Sequence, residues 1–162
     1  MSLRSFFVLL SLIAFARSAV AADDRVADDR AAREVALAQM LSGATLEGSF
    51  TITGRDLGKT LPEKYTLGEV KKIDGDNWLF PTRIEYGGRD LTVPLTLPIQ
   101  WAGDTPVVVV DNVGIPGLGA VSARVLFFDD HYAGYWQHGE ASGNLFGTIH
   151  RAEATAAAGS SD

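Results

Sequence analysis

The chain of 162 residues contains no cysteine. That excludes disulfides, and it excludes attachment of a lipid at a cysteine. Basic residues are also short, 14 Lys and Arg against 20 Asp and Glu, for a net charge of −6. A chain so poor in cations is badly suited to nucleic acid or to an anionic membrane surface. Long hydrophobic runs are missing too. The longest, from Phe6 to Ala16, covers about 11 residues, against the roughly 20 that a transmembrane helix needs. Catalytic motifs are absent: there is no Gly-x-Ser-x-Gly elbow, no His-Glu-x-x-His helix and no glycine-rich phosphate loop. "NVGIPGLGAV" lies between two predicted strands, so it is a loop and not a dinucleotide fingerprint. "DGDN" at Asp74 lacks the downstream residues of a calcium loop and reads as a hairpin turn. Glu85 and Asp90 form an acidic pair, but they fall on a predicted outer face beside Arg83 and Arg89. The expectation is a protein without catalysis, cofactor or metal.

What is present begins with "MSLRSFFVLLSLIAFARSAVAADD". Arg4 supplies a positive start, the apolar run follows, and Ala19-Val20-Ala21 is a small-x-small cleavage site. This predicts a secretory signal peptide over residues 1–21, cleaved near Ala21. No twin arginine precedes the run, which favours the general export route. A bacterial periplasmic or secreted location follows, and no membrane span is left after cleavage. Loss of Arg4 and Arg17 would take the charge to about −8, since no acid precedes Asp23.

Residues 22–43 form an alanine-rich leader, helical or partly disordered. Asp24 or Asp28 would cap it and Gly43 would end it. Its second half (Val35, Leu37, Met40, Leu41) offers an apolar face to an unknown protein partner. Residues 152–162, "AEATAAAGSSD", read as a disordered tail.

Residues 44–151 alternate in short apolar segments separated by Gly, Pro and Asp, the pattern of an antiparallel all-β domain. Eight strands are predicted, at about 46–53, 64–73, 77–86, 90–101, 106–112, 119–128, 131–138 and 144–151. "RIEYGGRDLTV" places Gly87-Gly88 as a two-residue turn. Tyr86 then faces Arg89, Ile84 faces Leu91, Thr82 faces Val93, Phe80 faces Leu95 and Trp78 faces Leu97. One face is almost wholly apolar, and a one-residue slip would destroy it. Asp129-Asp130 likewise sets Phe127 opposite Tyr132 and Ala123 opposite Trp136. A five-residue loop, Gly139 to Gly143, would then pair His138 with Asn144, Trp136 with Phe146 and Tyr132 with His150. Eight strands in hairpin order close most economically as an up-and-down barrel of the calycin-like kind. A two-sheet β-sandwich is the alternative.

Two of the three histidines lie in "YAGYWQHGEASGNLFGTIHR" and the third, His131, just before it. In this register His131 points away from His138 and His150. Those two share a face but lie roughly 20 Å apart, too far for one metal. The candidates for ligand contact are therefore individual core-face residues: His138 with Asn144 at one end, His150 beside Tyr132, and Trp136 and Trp101 in the wall.

Gly134-Tyr135-Trp136 has the Gly-x-Trp form of the lipocalin and avidin group of small barrels, and the chain resembles that group in this motif. Those families carry it on the first strand and here it falls on the seventh predicted strand, so no ligand-contacting residue is carried over. The segments "LPEKYTLGEV", "WAGDTP", "IPGLGAVSARV" and "YAGYWQHGEASGNLFG" together resemble an uncharacterised family of small exported bacterial proteins of planctomycete type. That resemblance covers most of the mature domain and implies export and a single domain, but no activity. The expected function is a binding module for an apolar or amphipathic small molecule, with a cell-envelope scaffold as the alternative.

Overall fold

The computed structural model describes residues 25–56 and 58–151. The expected export signal at 1–21 and the expected tail at 152–162 lie outside the described residues. The chain divides into two units, Met1–Ala36 and Leu37–Asp162. In the described part of the first unit, residues 25–36 are helical, and Arg30 Nε donates to Glu34 Oε1 at 2.9 Å, four residues on. This helix, α1, continues to residue 41. Gly43 follows it with φ 70°, the left-handed conformation that ends helices and favours glycine. No helix among the described residues is long and apolar enough to cross a membrane.

Nine strands follow: β1 (Thr45–Phe50), β2 (Leu61–Leu67), β3 (Lys71–Asp74), β4 (Asn77–Tyr86), β5 (Arg89–Ala102), β6 (Thr105–Ile115), β7 (Gly119–Phe128), β8 (His131–His138) and β9 (Ala141–His150). β1 pairs with both β2 and β9, and β2 pairs with β4, all antiparallel. The sheet therefore closes on itself. Eight strands form an up-and-down barrel, and β3 is a short branch on the start of β4. Closure leaves no room for the two-sheet alternative, and it pairs the edges that an open sheet would expose.

The expected strand at 64–73 is broken at Gly68-Glu69-Val70. Gly68 lies against the Pro81 ring and its N–H donates to the Pro81 carbonyl at 2.7 Å. Pro81 has no N–H to return, so the ladder stops there. The end of α1 fills the break. Leu67 N–H donates to Ala44 O, Gly43 N–H donates to Gly68 O, and Ser42 Oγ accepts from Val70 N–H at 3.0 Å. Leu37 and Leu41, expected to dock on a partner, are instead buried in one cluster with Val70, Trp78 and Ile99. An apolar helix end beside an open barrel rim satisfies both surfaces without a second protein.

The β4–β5 register is the expected one, from Tyr86 opposite Arg89 to Trp78 opposite Leu97. Gly87 and Gly88 both take positive φ, as a type I′ turn requires. The β7–β8 register is also as expected, with Phe127 opposite Tyr132 and Ala123 opposite Trp136. The β8–β9 register is not. The loop is the two-residue turn Gly139-Glu140, and His138 faces Ala141 rather than Asn144. The shift is three residues, an odd number, so every side chain of β9 changes face. Gly143, Leu145, Gly147 and Ile149 point inward, and Leu145 and Ile149 are buried. Phe146 and His150 are exposed. Gly139 at φ 59° provides the tight turn, and burial of Leu145 and Ile149 fixes the register around it.

Candidate functional site

The inward faces of the barrel strands enclose a cavity of about 240 Å³. Period-two alternation sends Phe80, Thr82, Ile84 and Tyr86 inward from β4, and Val121, Ala123, Val125 and Phe127 inward from β7. The wall is nearly all apolar. Phe50 sits edge-on to Trp136, with ring centroids 5.8 Å apart, and edge-on to Tyr86 at 6.2 Å.

Of the six expected contact residues, the structure brings three to this cavity: His138, Trp136 and Tyr132. Asn144, Trp101 and His150 do not line it. Trp101 packs, half-buried, against the core cluster from the far end of β5. Asn144 and His150 fall on the outer face because of the β8–β9 register. Asn144 N–H donates to Thr51 Oγ1, and its backbone carbonyl accepts from Thr51 N–H. His150 Nε2 lies 3.3 Å from Thr148 Oγ1 and 3.9 Å from Glu47 Oε2. The proposed pairs His138–Asn144 and Tyr132–His150 therefore do not exist. His150 joins His131 on the outside, while His138 faces in at the turn end of β8. Among the described residues no group of three or more His, Asp or Glu is placed to hold a metal ion.

The acidic pair Glu85 and Asp90 is solvated surface, as its outer-face position implied. Arg83 grips Asp90 with two nitrogens, at 2.9 and 2.6 Å, and this holds the Asp90 carboxyl below its ordinary pKa.

One cavity residue escaped the sequence reading. Glu63 lines the wall and is only 6% exposed. Its Oε2 accepts from Tyr65 Oη at 2.8 Å, and its Oε1 accepts from Tyr132 Oη at 2.9 Å. Tyr65 comes from the neighbouring inward position of β2. Tyr132 comes from three strands away. Along one row of the sheet Tyr132 faces Gly147, Gly147 faces Gly48, and Gly48 faces Glu63. A Cβ on Gly48 would strike the Tyr132 hydroxyl, and one on Gly147 would come within 2.6 Å of its ring. The two glycines thus leave a track in which the Tyr132 ring lies flat and reaches across β9 and β1 to the carboxylate.

Burial pushes the Glu63 carboxyl above its ordinary pKa, and the two phenol hydrogen bonds partly offset this. Burial and the nearby carboxylate push both phenols further up, so Tyr65 and Tyr132 stay protonated and donate. Trp136 Nε1 is buried with no hydrogen-bond partner among the described residues. Such donors are rare in folded proteins.

No protein-family model and no curated protein matches this chain.

Proposed function

We propose that the protein is an exported binding module that holds a small apolar or amphipathic molecule inside its barrel, without catalysing a reaction. The observation that carries this reading is the cavity of about 240 Å³ with its nearly all-apolar wall. An eight-stranded barrel has room either for packed side chains or for one small ligand. Apolar space of this kind favours a guest, because burial removes the guest's apolar surface from water. Export rests on the N-terminal sequence: Arg4, the apolar run and Ala19-Val20-Ala21.

Native mass spectrometry of protein isolated gently from the periplasm, run beside the denatured mass, tests the reading. The expected result is extra mass that leaves on denaturation. The reading fails if the folded protein is bare and its tryptophan fluorescence does not respond to any of a series of apolar compounds, since Trp136 stands in the wall.

One surface favours the second reading, an envelope scaffold. Leu126, Phe128, Tyr135 and Phe146 are exposed on the outer face of β7, β8 and β9. Leu126, Ala133 and Phe146 are aligned across these three strands. A contiguous exposed apolar patch of this kind marks contact surfaces.

A further inference from the structure

Two ionisable side chains besides the phenols line the cavity, Glu63 and His138, and no Lys or Arg does; His138 stands six residues along β8 from Tyr132, the residue that holds Glu63. Among the described residues the hydrogen-bond partners of Glu63 are the neutral hydroxyls of Tyr65 and Tyr132. Its sequence neighbour Lys64 faces outward and is bound to Glu47 at 2.7 Å. Arg83, on the adjoining strand, faces outward to Asp90 and Glu85. A carboxylate removed from water normally carries its counter-charge with it. Here the barrel has spent two glycines, Gly48 and Gly147, on positioning a neutral donor, and has placed no Lys, Arg or His against the carboxylate.

Each oxygen of Glu63 takes one phenol, so each keeps a second lone pair. Around it stand aromatic walls. Tyr86 is directly opposite Glu63 on β4, and Phe50 contacts the Tyr86 ring. Electron-rich ring faces beside an acceptor-only carboxylate are what an ammonium group binds. A carboxylate or phosphate headgroup would meet like charge in a site of low dielectric.

Resting on the binding-module reading, we infer that the barrel selects a protonated amine: a small molecule with an apolar body in the cavity and an ammonium group on Glu63. A cavity of about 240 Å³ suits one ring with a short chain.

Isothermal titration of the full chain, freed of any bound compound, with three probes of matched shape tests this. The probes are 2-phenylethylamine, propylbenzene and 3-phenylpropionate. The amine is expected to bind at least about tenfold more tightly than the hydrocarbon, as a hydrogen bond to a charged group implies. The carboxylate is expected to bind most weakly. In Glu63→Gln the amine should fall to the level of propylbenzene, while propylbenzene itself is held as before. Should Glu63→Gln not fold, the order of the three probes on the native chain decides alone. Equal binding of amine and hydrocarbon overturns the inference and leaves the binding module standing. Failure of all three probes to bind overturns both.

Discussion

Glu63 and Tyr132 form the most informative contact in the molecule, because a buried carboxylate has to be accounted for group by group. Removing one donor leaves a lone pair unanswered in a closed space. Tyr132→Phe should therefore cost about 1–3 kcal/mol, read as a lower urea midpoint. Gly48→Ala should be worse, on the order of 3 kcal/mol, because its new Cβ meets the Phe146 carbonyl as well as the Tyr132 hydroxyl. A Gly48→Ala variant as stable as the native chain would show that Tyr132 does not lie in that track. Protonation gives a third test. The Glu63 pKa is raised from its ordinary 4.5, first by burial, so the folded chain holds a proton that the unfolded chain has released. Stability should then fall as pH rises through the window just above 4.5, and level off above the folded value. The ionisable groups bonded to Glu63, Tyr65 and Tyr132, are phenols pushed above their ordinary range, so they do not ionise in that window. Glu63→Gln should remove this slope from the urea midpoints. A slope unchanged in that variant would place its origin elsewhere.

Hairpins show how much of the fold can be read from the sequence. Gly87-Gly88 and Asp129-Asp130 are each flanked by segments whose apolar alternation agrees on both sides, so turn and pattern give one register. Around Gly139 the two signals diverge. Gly143 and Gly147 are inward-facing yet carry no side chain, so β9 shows only Leu145 and Ile149 as its inner apolar set, and Phe146 beside them mimics the opposite phase. The Asn144 and His150 candidates were lost with that phase, and the Tyr132 track with it. Glu63 was hidden differently: a strand begun at 64 excludes it, although Glu63, Tyr65 and Leu67 share one parity. The break at Gly68 was not legible either, because it depends on Pro81 of another strand and on the arriving end of α1. That end belongs to the barrel. Leu41 is fully buried, and Leu41→Ala should cost about 2–5 kcal/mol. An effect near zero in thermal unfolding would mean that α1 only rests on the surface.

At the scale of the whole molecule, closure converts eight short strands into a container. β2 meets β4, no long hydrophobic edge among the described strands is left unpaired, and the interior becomes a place where a small apolar molecule is shielded from water. The cavity makes a prediction opposite to that for a filled core. Ala123 lines it, between Val110 and Trp136 on the neighbouring strands. Ala123→Leu in a packed interior would cost about 1–3 kcal/mol. Here the added carbons enter open space, so stability should hold or rise while ligand uptake drops. A loss within the packed-core range, measured in urea, would mean that the interior is already full.

The most direct measurement of the central claim is a crystal structure of the chain under xenon pressure, since dry apolar cavities take up xenon. Xenon is expected inside the barrel, between Phe50, Phe80, Val110 and Val125. An interior closed by its own side chains, with xenon found only on the outer surface, would contradict it.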